Sequence, residues 1–344
     1  MSDTEYFSNC IICGSHRLKR MDRYAGAFLC KCGSCGFIFS LKIPSEEELA
    51  EYYKNYGQEE YISPITIKRY NELLDGFEKY RKNNRILDVG CGFGHFLEAA
   101  RKRGWEVFGT EYTARAVETC EKKGIRMAQG SLANAQFPDG GFDMITSFEV
   151  IEHINNPIDD LMEKRRIIRT GGALYITTPN FNSLIRYYLG PRDLNIFYPE
   201  HLSYYTPRTI HNLLRKFDFK KEFLRTTGFS YTRVKISKRI SDELLVSANN
   251  SDEKIREKTE TPGLFNMAKV VINSGLSLFG VGDTIKALYK KISDEPLVSA
   301  NNSDEKIREK TETPGLFNMA KVVINSGLSL FGVGDTIKAL YKKT

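Results

Sequence analysis

This sequence has no long apolar run. Its first residues also lack the positively charged stretch and apolar segment of a signal peptide. No stretch reaches the ~18 consecutive apolar residues that a transmembrane helix needs, and the start, MSDTEYF, lacks the pattern of a signal peptide. We therefore expect a cytoplasmic protein without a membrane span. Because 41% of its 344 residues are apolar, the chain can still bury a sizeable core.

Dense clusters of lysine and arginine are also missing, although the net charge is +7. Residues 240–291 and 292–343 each contain seven basic and seven acidic residues, so the basic excess lies in residues 1–239. We favour a mildly basic enzyme surface over a nucleic-acid-binding face, which such a charge also permits.

The last third of the chain contains one segment twice. Residues 240–291 and 292–343 are identical except for Leu244 against Pro296. Solenoid repeats diverge more than this, so the pattern does not indicate a repeat architecture. Either Asp283–Lys290 or Asp335–Lys342 can supply a final β-strand, and we favour the first because it closes the shorter loop. Residues 292–344 are then expected to be peripheral.

Five of the seven cysteines lie in the first 35 residues, and four of them form the pattern Cys10-x2-Cys13-x18-Cys32-x2-Cys35. This spacing is typical of a four-thiolate zinc site, which is closed and structural rather than catalytic. Cys30 competes for one ligand position, but only one residue separates it from Cys32. Disulfides are the weaker alternative in a cytosolic protein. We therefore predict a zinc-ribbon-like segment over residues 1–42.

Two phosphate-binding patterns are missing from the glycine-rich stretch RILDVGCGFGHFLEAARKRG, residues 85–104. A dinucleotide fingerprint needs a third glycine where His95 stands, and a P-loop needs Gly-Lys followed by Ser or Thr. The remaining pattern is a buried strand, Asp88, three alternating glycines and a helix. A loop with an acid and no phosphate-binding lysine favours a ligand that carries an amino group and a sulfonium cation. This disfavours an oxidoreductase.

The stretch ILDVGCGFGHFLEAARKRGWEVFGTEYTARAV resembles the first motif and second strand of class I S-adenosylmethionine-dependent methyltransferases. MAQGSLANAQFPDGGFDMITSFEVIEHINNP and IIRTGGALYITTPN resemble the family's next motifs, in the same order, with a turn at 170–172. The resemblance implies a Rossmann-like α/β fold, with a seven-stranded, mostly parallel sheet and an antiparallel last strand. It also implies these cofactor-binding residues: Asp88, Gly90, Gly92, Gly94, Glu111, Tyr112, Ser131, Leu132 and Phe148.

Within that resemblance, Glu111 lies 23 residues after Asp88 at the end of the second strand, where an acid accepts hydrogen bonds from both ribose hydroxyls. The family often has an acid after the glycine of the adenine loop, and here that position is Ser131. A serine makes a weaker contact with the adenine amino group. We expect strand six near Glu222–Thr226.

The ribbon, the segment EEELAEYYKNY and the later PEHLSYYTPRTIHNLLRKFDFK together resemble bacterial methyltransferases with a zinc-ribbon head. Such enzymes are often encoded with saccharide or natural-product pathways, which implies a small-molecule acceptor, a hydroxyl or a sugar. The expected organisation is a ribbon at 1–42, a helical connector at 43–84 and a methyltransferase domain at 85–291, with a lid at 181–209.

Methylation of a hydroxyl near neutral pH calls for a base, and histidine is the usual choice. His153 follows the fourth strand at the sheet edge where ligands bind, and His201 lies in the aromatic segment after strand five. Both are candidate general bases; a structural role is the alternative for each.

Two other functions compete with small-molecule methylation. A nucleic-acid methyltransferase that modifies base amino groups usually has [DNS]-P-P-[FYW] after strand four, whereas this chain has SFEVIEH. A binding module without catalysis would need a damaged cofactor site, and the Asp88, glycine and Glu111 pattern is intact.

Overall fold

The computed structural model describes residues 5–53, 62–228, 273–295 and 297. Two β-sheets contain all the strands of this part of the chain. The strands are β1 Leu18–Arg20, β2 Leu29–Cys32, β3 Ile38–Ser40, β4 Arg85–Val89, β5 Glu106–Glu111, β6 Arg126–Gln129, β7 Phe142–Phe148, β8 Ile168–Pro179, β9 Ser203–Tyr204, β10 Phe219–Thr227 and β11 Thr284–Lys291.

The α-helices are α1 Glu46–Tyr53, α2 Pro64–Phe77, α3 His95–Lys102, α4 Ala114–Lys122, α5 Pro157–Ile167, α6 Leu184–Leu189 and α7 Pro207–Arg215. A further helical segment covers 273–278. Local sequence explains several starts: Ser63, Asn156, Ser183 and Thr206 cap α2, α5, α6 and α7 with their side-chain oxygens. Among the described residues, every helix is too short or too polar to cross a bilayer.

The larger sheet has seven strands in the order β10-β11-β8-β7-β4-β5-β6. The four pairs from β8 to β6 are parallel, and β11 runs antiparallel to both β8 and β10. This confirms the predicted α/β fold. The inner strands are covered on both faces, so nearly every residue of β4 and β7 is buried.

The core lies on both faces of this sheet because successive strand residues point to opposite sides. Along β8, Leu174 and Ile176 belong to one buried cluster, while Ala173 and Tyr175 belong to the other. The first cluster continues into the ribbon through Phe37 and Phe39.

The first C-terminal copy supplies the last strand, as predicted. β11 pairs along its length with β8, from Thr284 opposite Pro179 to Lys290 opposite Ala173. Residues 229–272, 296 and 298–344 lie outside the described residues, and so does nearly all of the second copy. The expectation that this copy is peripheral therefore stays a prediction.

Two details of the sheet differ from the expectation. Strand six is longer than Glu222–Thr226 and runs from Phe219 to Thr227. The turn expected at 170–172 lies inside the continuous strand β8, where Gly171 has φ +82°. Ile168 already pairs with Phe142, and the next pair is Met144 with Ala173, so the extra residues bulge out of β8.

The smaller sheet is antiparallel, with the order β1-β2-β3-β9. Its first three strands are the ribbon, and β9 comes from the segment after strand five, with Ile38 opposite Tyr204 and Phe39 opposite Ser203. The ribbon is therefore hydrogen-bonded to the part of the chain that contains His201.

Candidate active site

Of the three alternating glycines in the loop between β4 and α3, only one faces open space. Gly90, Gly92 and Gly94 all have positive φ, at +68°, +53° and +74°. A Cβ at Gly90 would lie 2.6 Å from Val150 Cγ2, and one at Gly94 would lie 2.6 Å from Ile125 Cδ1. A Cβ at Gly92 would meet nothing within 4 Å. The outer two glycines are thus packing requirements, whereas Gly92 faces open space.

Asp88 lies beneath this loop, at the end of β4. Its side chain is buried, and Oδ1 accepts a hydrogen bond of 2.7 Å from Thr146 Oγ1. Burial is the main cause that raises the pKa of Asp88 to about 7, and the nearby Glu111 adds to the shift. A cationic group near Asp88 would favour its ionised form.

Glu111 connects the glycine loop to the end of β5. Its Oε2 accepts from the Gly92 backbone N–H at 3.0 Å, and its Oε1 accepts from Tyr112 N–H at 2.8 Å. The carboxylate therefore lies at the same edge as the open face of Gly92. Each carboxylate oxygen can accept more than one hydrogen bond.

The loop after β6 lies next to Glu111, since the Gly130 N–H donates to the Glu111 carbonyl at 2.9 Å. Ser131 is partly exposed, and Leu132 is buried. Tyr112 is 72% exposed beside them. Phe148, at the end of β7, packs its ring at 5.0 Å from the ring of Phe96. The structure thus brings the predicted cofactor residues to one edge of the sheet.

His153 and His201 come together, although 47 residues separate them in the chain. Their ring centroids are 4.9 Å apart, in a T-shaped arrangement. His153 Nδ1 lies 2.8 Å from the Glu200 carbonyl oxygen, and His201 Nδ1 lies 2.9 Å from that of Asn195. Because a carbonyl oxygen only accepts, both Nδ1 atoms carry protons. Burial is the main cause that lowers the pKa of His153 to about 3, and His201 contributes.

Glu152 joins this pair, and sequence reasoning missed it. One ligand atom from each of Glu152, His153 and His201 lies within 4.8 Å of the others. Glu152 is 2% exposed, and Oε2 accepts from Thr178 Oγ1 at 2.9 Å. Burial raises the pKa of Glu152 well above its usual range, with a further contribution from Glu149. The available signal was an acid next to a histidine directly after a buried strand.

Backbone strain marks the same place. Glu149, the first residue after β7, has φ +52°, which is uncommon for a residue with a side chain. Its N–H donates to the Thr177 carbonyl at 3.0 Å, so the neighbouring strand holds this conformation. Such strain is often found at functional sites. Val150 follows and lies next to the glycine-loop position Gly90, so the segment after β7 packs against the glycine loop.

The four predicted ribbon cysteines converge as well. Cys10 Sγ lies 3.6 Å from Cys35 Sγ, Cys13 Sγ lies 3.6 Å from Cys32 Sγ, and all four sulfurs lie within 4.8 Å of one another. Four sulfurs at ~2.3 Å from a tetrahedral zinc are roughly 3.8 Å apart, so the arrangement fits the ion. Cys30 is buried in β2 outside this group, and none of the seven cysteines forms a disulfide.

Comparisons with known proteins agree with this geometry. Residues 59–222 match the model of a family described as "Methyltransferase domain". The ubiquinone biosynthesis O-methyltransferase of Roseobacter denitrificans is 30% identical over 169 residues, which are 46% of this chain and 68% of that protein. The protein of the same name from Alkalilimnicola ehrlichii is 29% identical over 128 residues, or 35% of this chain and 50% of that one.

Among solved structures, a SAM-dependent methyltransferase from Archaeoglobus fulgidus has a TM-score of 0.46 and 18% identity, with 72% of this chain and all of that chain covered. Apart from the Roseobacter protein, the chain spans about half the length of the first relatives it matches. The seven-stranded sheet, the matched family model and the Roseobacter relative lead to one conclusion. The chain belongs to the class I S-adenosylmethionine-dependent methyltransferases.

Proposed function

We propose that this enzyme transfers the methyl group of S-adenosylmethionine to a hydroxyl of a small molecule, with a sugar or saccharide as the acceptor class to test first. The observation that carries the proposal is that Glu152, His153 and His201 come together next to a segment that packs against the glycine loop. The relatives named ubiquinone biosynthesis O-methyltransferases support a hydroxyl acceptor.

The cofactor would supply an electrophilic methyl group. Within this proposal, Asp88 faces the amino group of the amino acid tail, and Glu111 accepts hydrogen bonds from the ribose hydroxyls. Gly92 leaves room for the tail. The remaining contacts come from Tyr112, Ser131, Leu132 and Phe148.

The acceptor hydroxyl would lose its proton at the His153 and His201 pair. Each imidazole is oriented by a backbone carbonyl at Nδ1, so neither ring turns freely. The segment 181–209, which contains His201, would act as a lid over His153 and keep water out, which would strengthen the electrostatic interactions there. A fixed orientation of the acceptor would account for much of the rate.

Calorimetric titration with S-adenosylmethionine tests the cofactor site. Loss of the Glu111 carboxylate removes two charge-assisted hydrogen bonds, so Glu111→Ala should weaken binding by roughly 100-fold. Glu118→Ala, at an exposed position of α4, is the matched control and should bind like the wild type. Equal binding by Glu111→Ala would refute the assignment.

Methyl-labelled cofactor identifies the acceptor class. Incubation with matched panels of phenols and sugar nucleotides should label members of one panel in proportion to enzyme. Label transferred to tRNA instead, with salt-dependent binding, would support the nucleic-acid alternative and overturn the small-molecule proposal.

We further propose that Cys10, Cys13, Cys32 and Cys35 hold one structural zinc ion. Four thiolates complete a tetrahedral site and leave no open position for catalysis. Metal analysis of the purified protein should give one zinc per chain that Cys32→Ser lacks.

A further inference from the structure

Arg186, on the short helix α6, is a buried cation in the cleft that also contains His201. The residue is 8% exposed, and it lines this cleft together with Glu152 and His201. Arginine is almost never buried without an anionic partner, because removing its charge from water is costly. The burial of Arg186 therefore calls for an anionic group close to its guanidinium.

The described part of the chain does not provide that group. Within it, no carboxylate oxygen lies within 4.0 Å of the guanidinium nitrogens of Arg186. Asp193 lines the same cleft beyond this distance, and its Oδ1 accepts from the Asn195 N–H at 3.1 Å. The charge of Arg186 is therefore not neutralised by an ion pair with these residues.

The guanidinium is nevertheless held in one orientation. Nε donates to the Phe181 carbonyl at 2.6 Å, and Nη1 donates to Tyr24 OH at 3.1 Å. Cζ lies 4.3 Å from the ring centroid of Phe181 and 3.7 Å from that of Tyr187. The carbonyl, the hydroxyl and the two rings stabilise a cation without carrying a negative charge.

These contacts leave one end of the guanidinium available. Of its five N–H groups, one on Nε and one on Nη1 have acceptors among the residues that the structure describes. Nη2 has none there and is not enclosed by protein. Carboxylate and phosphate groups match the planar fork of a guanidinium and accept two parallel hydrogen bonds from it. An oxyanion at Nη1 and Nη2 would neutralise the buried charge.

We propose that Arg186 binds a carboxylate or phosphate group of the methyl acceptor. The acceptor is then a hydroxylated small anion, such as a sugar acid or a sugar phosphate, rather than a neutral sugar or phenol. This inference deepens the function proposed above and rests on it. Since Arg186 and His201 line the same cleft, an anion held at Arg186 places the rest of the acceptor near His201. The ribbon takes part through Tyr24, which orients the guanidinium.

Thermal unfolding of the full-length protein, titrated with sodium phosphate and with sodium malonate against sodium chloride at equal ionic strength, tests the anion site. For the wild type, at least one of the two anions should raise Tm in a saturable way. Arg186→Gln should weaken that binding at least 10-fold. Arg186→Lys should lie between them, because lysine keeps the charge and loses the fork.

Two further variants complete the set. Tyr24→Phe keeps the charge and removes the acceptor at Nη1, so it should weaken anion binding less than Arg186→Gln does. Arg192→Gln, at an exposed neighbouring position, is the matched control and should respond like the wild type. The anion that binds more tightly distinguishes a carboxylate acceptor from a phosphate acceptor. The site is overturned if neither anion gives a saturable rise in the wild type, or if Arg186→Gln binds both as tightly.

Methyl transfer from labelled cofactor provides a second readout, with matched pairs of acceptors: glucose against glucuronate or a glucose phosphate, and catechol against protocatechuate. The anionic member of a methylated pair should have a KM at least 10-fold lower, and Arg186→Gln should remove that difference. Equal KM values within a methylated pair would overturn the assignment. Titration with S-adenosylmethionine shows that each variant is folded. Failure of the wild type to bind it would instead overturn the proposed function, while the anion titration still reports on Arg186.

Discussion

Alanine at two neighbouring glycines should separate the packing role of the glycine loop from its cofactor role. At Gly92, φ is +53° and a Cβ would meet nothing within 4 Å. The left-handed conformation costs alanine about 1–2 kcal/mol. Alanine also lowers the conformational entropy of the unfolded chain, which stabilises the folded state by about 0.4–1 kcal/mol. Gly92→Ala should therefore lower the free energy of unfolding by about 0–1.6 kcal/mol.

Gly94→Ala has the same backbone cost and a steric cost in addition. Its Cβ would lie 2.6 Å from Ile125 Cδ1 and 2.8 Å from Cys120 Sγ, both buried. Overpacking of this kind costs about 1–3 kcal/mol, so the total is about 1–5 kcal/mol. At roughly 3 °C per kcal/mol, Tm should fall by roughly 10 °C.

For cofactor binding the order of the two variants should reverse: Gly92→Ala should be the more damaging change, although it is the less destabilising one. Calorimetry should show a loss of at least about 10-fold in S-adenosylmethionine affinity for Gly92→Ala, since its methyl group enters the cleft. Folded Gly94→Ala, measured well below its Tm, should retain more of that affinity. The reasoning is refuted if Gly92→Ala binds like the wild type, or if it lowers Tm as much as Gly94→Ala does.

Three further predictions concern the pH profile, the ribbon and the C-terminus. The pKa of Asp88 is about 7 in the folded protein and 3.8 for a free side chain, so the folded state holds the proton more tightly. Stability should therefore fall as pH rises from about 4 to 7. Asp88→Asn should remove this dependence of Tm on pH. Cys32→Ser should release zinc and misplace His201, so that methyl transfer to the acceptor slows roughly 10-fold while cofactor affinity is unchanged. An equal loss of methyl transfer and of S-adenosylmethionine affinity would contradict this. Truncation after residue 297 should leave S-adenosylmethionine affinity intact, because β11 comes from the first copy. If circular dichroism shows that the truncated chain does not fold, the second copy is required and the prediction is wrong.

The convergence of the predicted cofactor residues at one edge of the sheet was predictable because most of them are close in sequence. Asp88, the three glycines and Glu111 belong to one strand–loop–helix–strand unit, and local spacing places them at the carboxyl ends of parallel strands. The four ribbon cysteines were predictable for a similar reason, since each Cys-x2-Cys pair forms a local turn and only two turns need to meet.

Other features depended on contacts between distant parts of the chain. Glu152 was not identified, because its approach to His201 depends on a contact between distant segments, in which the Leu202 N–H donates to the Glu152 carbonyl. The addition of β9 to the ribbon sheet was equally unexpected. A strand of two residues is too short to show the alternation of apolar and polar residues that identifies a strand.

By itself, the sequence determined the fold class, the cofactor and which four cysteines converge, because these depend on short motifs with strict backbone and donor requirements. The tertiary structure alone decided which C-terminal copy enters the sheet, which glycine borders open space, and which side chains meet beside the cleft. These depend on how strands and loops pack across long separations in the chain, where burial and steric fit select one arrangement among several that local sequence permits.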